Sequence, residues 1–256
     1  MDEKRGNRDK VVIVTKGCHP DIRPRVNAAA LREDIASSLE RLQTDHIDIY
    51  MLHRDDPAAD MEAVLGELGD NVAKGRIRKI GVSNWDHTRI EKVNALASQL
   101  GLEGITVSSP QMCPARQVRD PWGGGCVSVS YDREAENWYE AHPEIPVFAY
   151  SCLGHGMFSG KYGTRSLFRL WRSLDRGARE GYWCRENIKR LKTAEDIARS
   201  RDCSVAQIAI AWCIGRRYRV LPTVTVSSEK RMRENIEALD IVLTGEELRA
   251  LELYGR

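Results

Sequence analysis

The chain has 256 residues, 42% of them hydrophobic and 30% charged, and its 39 basic and 37 acidic side chains leave a formal charge of +2. That balance is ordinary for a globular protein with one large core, and the scatter of Lys and Arg among acids excludes a nucleic-acid stripe or a basic membrane-facing helix. Apolar runs are too short to span a bilayer, and the polar start MDEKRGNRDK is the opposite of a signal peptide's apolar segment.

Short β-branched runs alternate with helical patterns, which is the signature of parallel βαβ units. Strands are predicted at Val11–Thr15, Ile47–Leu52, Ile77–Val82, Ile105–Ser109, Val147–Tyr150 and Val220–Val226, each apolar on both faces as strands covered by helices should be. The first predicted helix, Ala28–Leu42, places Leu31, Ile35, Leu39 and Leu42 on one stripe; Met61–Lys74 repeats the pattern and Gly75 ends it. Further helices are expected at His87–Leu100, Asp132–Ala141, Glu186–Ser200, Ser204–Arg216, Glu229–Leu239 and Gly245–Tyr254, the last with Thr244 as cap and Glu246 and Glu247 at its positive end. Two segments break the rhythm and read as long loops after strands, Ala115–Ser130 and Leu153–Arg185. With no repeat, low-complexity tract or linker, one domain is expected. Cys18, Cys113, Cys126, Cys152, Cys184, Cys203 and Cys213 form no C-x-x-C pair and read as free thiols in a reducing, cytoplasmic setting.

Chemistry-bearing side chains fall at successive strand ends, the face on which βα barrels work. Lys16 follows VVIVT; it is either a lysine snorkelling from the rim or a group put to use, because burying its charge is costly. His53 ends IDIYML one unit later, as a hydrogen-bonded structural residue or a catalytic one. The third strand ends in Ser83-Asn84, the fourth in Ser108-Ser109-Pro110-Gln111 and the fifth in Tyr150-Ser151. A lysine, a histidine, two amides and an aromatic ring on one rim suit a planar uncharged amide held at its edge against a ring, as a nicotinamide is.

The stretches VVIVTKG, RLQTDHIDIYMLHRDDP, GRIRKIGVSN, SSPQ, FAYSCLGHGMFSGKY and SSEKRMRENIEAL follow one another in the order and at the spacing of the aldo-keto reductases, which the chain resembles from about residue 10 onward. The resemblance implies an α/β fold, a (β/α)8 TIM barrel lacking its first one or two βα units, since six strands are legible where a closed barrel has eight. It implies that Lys16 lowers the pKa of a catalytic tyrosine and that His53 orients a substrate carbonyl. Ser83, Asn84 and Gln111 would hold the nicotinamide carboxamide, Tyr150 would stack on it, and Ser151 and Leu153 would meet the pyrophosphate. Ser227, Arg231, Glu234 and Asn235 would meet the adenosine end, the arginine favouring NADPH, with NADH possible. The implied activity is reduction of an aldehyde, ketone or sugar carbonyl by hydride transfer, on a small-molecule substrate, with no nucleic acid or membrane as partner and no metal. The family's catalytic aspartate and tyrosine precede the segment aligned with residues 10–16, and Met1–Asp9 holds no tyrosine. Truncation, or a nucleotide-binding module without catalysis, is the alternative, and Asp55 and Asp56, on the loop after His53, are acids that could approach Lys16.

Overall fold

The computed structural model describes residues 6–20 and 23–252, so the first residues of the charged start and the end of the helix expected at Gly245–Tyr254 lie outside the described residues. The chain divides into two compact units, Met1–Ser109 and Pro110–Arg256. In the first unit β1 (Val14–Gly17), β2 (Ile47–Leu52), β3 (Ile77–Ser83) and β4 (Ile105–Ser109) pair in parallel and in chain order. All six residues of β2 are buried, as a central strand with both faces covered requires. The crossovers are α1 (Ala28–Leu42), α2 (Met61–Ala73) and α3 (His87–Gln99), capped by the side chains of Asn27, Asp60 and Asp86. Each turns an apolar stripe inward, with Leu31 and Ile35 buried on α1 and Met61, Val64, Leu65 and Leu68 on α2. Gly75, at φ +69°, follows α2 as expected; its amide donates to Val72 O (2.9 Å).

At the amino ends of these strands sits Asp48, a buried carboxylate on β2. Its Oδ2 accepts from Ile13 N (2.9 Å) and from Arg8 Nη2 (2.9 Å), and its Oδ1 from Arg78 Nη1 on β3 (2.9 Å). Burial pushes its pKa up, but the Ile13 amide and the two guanidiniums outweigh that and hold it below the ordinary carboxylate range. This carboxylate explains why β1 starts at Val14, three residues later than expected. Ile13 N is given to Asp48, Arg8 holds the Val11 carbonyl, and Val11 and Val12 are exposed, so the ladder begins at the Val14–Ile49 pair.

In the second unit β5 (Val147–Ala149) pairs in parallel with β6 (Val220–Pro222). The expected strand Val220–Val226 is shorter because its partner β5 ends at Ala149, whose carbonyl takes the Thr223 amide (2.7 Å) just past β6. The helices are α4 (Arg133–Ala141), α5 (Leu167–Ser173), α6 (Arg176–Tyr182), α7 (Arg185–Ser200), α8 (Val205–Ile214), α9 (Glu229–Glu237) and α10 (Gly245–Glu252). The core helix is α8, buried from Gln207 to Cys213 and started by a reciprocal Ser204–Gln207 capping box. Thr244 and Glu247 cap α10 in the same reciprocal way. The expected loop Leu153–Arg185 contains α5 and α6, started by Ser166 and Asp175. Two glycines in α6 hide its helical pattern; they are there for packing, since a Cβ on Gly177 or Gly181 would come within about 3.1 Å of Pro121. Among the described residues no helix is long and apolar enough to cross a membrane.

Between β1 and β2 the backbone of Gly17 leaves room for the Tyr50 side chain. A Cβ on Gly17 would lie 1.8 Å from Tyr50 Oη, and that hydroxyl is buried with no hydrogen-bond partner. Gly17→Ala should therefore cost about 1–3 kcal/mol in urea unfolding. Tyr50→Phe, which removes an unpaired buried hydroxyl, should be neutral or stabilising, and it should recover part of the cost in the double variant.

Candidate active site

In the first unit the carboxyl ends of the strands gather Lys16, His53, Ser83 and Asn84, as the sequence led us to expect. Lys16, the penultimate residue of β1, reaches past β2: its Nζ donates to Ser83 Oγ on β3 (2.9 Å) and to Ser109 Oγ on β4 (3.1 Å). Ser83 in turn donates to the Ser109 carbonyl (3.0 Å) and accepts from Asn84 Nδ2 (3.1 Å). Asn84 stands in the left-handed region at φ +61°, which turns its amide back over the strand end. Burial first, then the Arg54 guanidinium, pushes the Lys16 ammonium down from 10.5 to about 8. Ser109 is the member of this group that the sequence did not single out, although it lay inside the SSPQ stretch.

His53 follows β2, its amide bonded to the Gly17 carbonyl (2.9 Å) and its ring edge-on to His19 at 4.5 Å. Burial, reinforced by the charges of Lys16, His19 and Arg54, pushes its pKa down to about 4, so the imidazole is neutral near pH 7. The two acids that follow it face other partners. Asp55 is paired with Arg89 (3.3 Å), and an Asp56 oxygen caps Ala58 N (3.0 Å).

In the second unit Gln111 is fully buried. Its Oε1 accepts from Ser128 Oγ (2.5 Å), while its Nε2 has no hydrogen-bond partner. Its backbone bridges the β5 end and the loop before α4, through Tyr150 on one side and Ser128 on the other. The Tyr150 hydroxyl lies 3.0 Å from Cys126 Sγ and its ring 5.4 Å from that of Trp122, two residues that no motif in the sequence pointed to. After Tyr150 the chain makes a tight left-handed run, with Ser151, Gly154, His155 and Gly156 all at positive φ. Ser151 Oγ accepts from His155 N (3.2 Å), and the Leu153 carbonyl accepts from the Gly156 and Phe158 amides (3.2 and 2.9 Å). The amides of residues 154 to 158 thus all donate within the turn. On α9 the Arg231 guanidinium donates to Ser227 Oγ (3.2 Å) and is exposed, while Glu234 and Asn235 are half-buried.

The family model for the aldo/keto reductase family matches residues 1–254. The chain belongs to that family. It is 26% identical to a norsolorinic acid reductase of Aspergillus flavus over 97% of its own length, but it spans only 61% of that relative. It is 27% identical to the protein tas of Escherichia coli, covering 97% of this chain and 75% of tas, and 24% identical to a 6-dehydroglucose reductase of Agrobacterium fabrum, covering 93% and 70%. A thermostable aldo-keto reductase solved with the inhibitor epalrestat superposes with a TM-score of 0.70 at 23% identity, covering 98% of this chain and 74% of the other. That likeness fixes the α/β fold class and the TIM-barrel kinship of its units.

The two perturbed groups give the fold a pH signature. Between about 4 and 6.5 the unfolded chain binds a proton at His53 that the folded chain refuses, so stability falls as pH drops through that window. Between about 8 and 10.5 the unfolded chain likewise holds the Lys16 proton more tightly, so the burial penalty fades as pH rises. His53→Gln should flatten the acid limb of a urea-midpoint profile, and Lys16→Met should raise the midpoint at pH 7 but not at pH 11.

Proposed function

We propose that this chain is the cofactor-facing part of an NADPH-linked oxidoreductase, with NADH also accommodated, whose full form reduces a small aldehyde, ketone or sugar carbonyl to an alcohol. Gln111 carries the reading: a buried amide with one end saturated and the Nε2 hydrogens unpaired is a costly arrangement unless a ligand oxygen completes it. A carboxamide fits that donor. In the first unit Asn84 offers a side-chain amide, its Nδ2 held by Ser83 Oγ, and in the second Tyr150 offers an aromatic ring. Ser151 and Leu153 would meet the pyrophosphate, and Ser227, Arg231, Glu234 and Asn235 suit a nucleoside whose 2′-phosphate pairs with the guanidinium. A bound nicotinamide nucleotide supplies the hydride. Lys16 holds positive charge where negative charge develops on oxygen, and His53, kept neutral, directs that oxygen by a hydrogen bond. The free thiols accord with a cytoplasmic site of action.

One observation favours a second reading, nucleotide binding without carbonyl turnover by this chain. Among the described residues of the first unit the tyrosine is Tyr50, and burial drives its hydroxyl far above the ordinary phenol range, so it is a poor proton donor. Titration with NADPH and with NADH, followed by nicotinamide fluorescence, separates the readings when combined with an assay of aldehyde-dependent NADPH oxidation. Binding with turnover supports the enzyme, binding alone supports the second reading, and binding of neither nucleotide rejects both. Gln111→Leu should weaken NADPH about tenfold. Arg231→Ala should weaken NADPH about tenfold while leaving NADH within about twofold.

A further inference from the structure

The loop between β4 and α4 is a built device. Asp120 accepts from Trp122 N (2.7 Å) through one carboxylate oxygen and from Cys126 N (2.8 Å) through the other, closing a turn around three glycines. Gly123, Gly124 and Gly125 stand at φ +84°, +125° and +72°, a run that only glycine adopts without strain. The approach to the turn is anchored on α6 and α7. Val118 N donates to the Gly181 carbonyl (2.8 Å), and Asn187 accepts from Arg116 N (2.9 Å) and donates to Arg116 O (2.8 Å). The bare backbone at Gly177 and Gly181 lets Pro121 sit against α6.

The anchored turn delivers two side chains to Tyr150. Cys126 Sγ donates to Gln117 Oε1 (3.4 Å) and lies 3.0 Å from Tyr150 Oη. A thiol has one hydrogen and an amide oxygen can only accept, so with that hydrogen committed to Gln117 the Tyr150 hydroxyl donates to sulfur. The Trp122 ring meets Tyr150 nearly edge-on (72°, centroids 5.4 Å) and leans on His155 (5.3 Å), whose Nδ1 lies 3.1 Å from the Asp175 carboxylate. The phenol is thus fixed at its hydroxyl and along one edge by residues brought more than twenty positions along the chain.

We propose that Cys126 and Trp122 are positioning residues that set the orientation of the Tyr150 ring for a planar cofactor ring. The inference rests on the cofactor reading above and reaches the ligand by way of the Tyr150 ring, so its loss should be felt at the nicotinamide end and not at the adenosine end. In the full chain, Cys126→Ala should weaken NADPH roughly fivefold and leave 2′,5′-ADP, which has no nicotinamide, unchanged. Cys126→Ser, which restores an acceptor for the phenol, should recover most of the loss. Equal weakening of both ligands would mean that the loop is merely structural and would overturn the proposal, as would no change in either. A cofactor-independent arm reads the contact itself: iodoacetamide labelling of the Cys126 peptide, followed by mass spectrometry, should slow about threefold in Tyr150→Phe, which removes a donor that stabilises the thiolate, while the other six thiols keep their rates. An unchanged Cys126 rate sinks the contact. A wild-type chain that binds neither nucleotide sinks the cofactor reading instead, and the labelling rate still decides whether Cys126 holds Tyr150.

Discussion

Asp48 is the charge on which the first unit's geometry turns. A parallel sheet has no hairpin to set its register, so something must fix which residue of one strand faces which of the next. Here one carboxylate takes the Ile13 amide just ahead of β1, the Arg8 guanidinium, and Arg78 on β3. The three strands are pinned at their amino ends, and the pairing Lys16–Met51 with Met51–Gly81 follows from there. A slip by one residue would send the Lys16 side chain to the other face of the sheet. The ammonium reaches Ser83 and Ser109 because the acid at the opposite end of the strands forbids that slip.

What the sequence made legible follows from how each element is stabilised. The strands β2 and β4 were found at their true bounds because burial on both faces favours β-branched and apolar residues, which here outweigh Asp48 in β2 and the two serines that close β4. Helices α1, α2 and α3 were found because an apolar stripe and a capping side chain are local signals. The errors came where a distant group decides. The start of β1 depends on Asp48, some thirty-five residues away, and the end of β6 on where its partner β5 stops. Helix α6 was hidden by glycines whose reason is Pro121, a residue of another loop. Pattern carries what neighbours along the chain determine; it carries little of what neighbours in space determine.

The same division runs through the candidate site. Lys16, His53, Asn84 and Gln111 were legible because a polar residue closing an apolar strand is conspicuous in one dimension. Ser109 was not, since a serine at a strand end is commonplace until an ammonium is found 3.1 Å from it. Cys126 and Trp122 were passed over. Their partner, Tyr150, lies 24 residues from the cysteine, and the glycine turn that presents them resembles any flexible loop until Asp120 is seen holding both of its ends. A signal did exist in hindsight: an acid two residues before a tryptophan and six before a cysteine, with three glycines between.

The charges at the strand ends are sorted by burial as much as by pairing. Lys16 and His53 sit in one neighbourhood, and the lysine charge is among the causes that make the histidine proton harder to keep. Because their ordinary values lie on opposite sides of neutrality, the same desolvation produces different outcomes. The lysine, brought to about 8, remains mostly charged at pH 7, whereas the histidine, brought to about 4, is neutral throughout the physiological range. The result is a cation and a neutral hydrogen-bonding ring at the same strand ends. Two serine hydroxyls take two of the three ammonium donors, and a hydroxyl accepts from the ammonium without neutralising its charge. For chemistry in which negative charge builds on an oxygen, a cation held through hydroxyls is a useful arrangement.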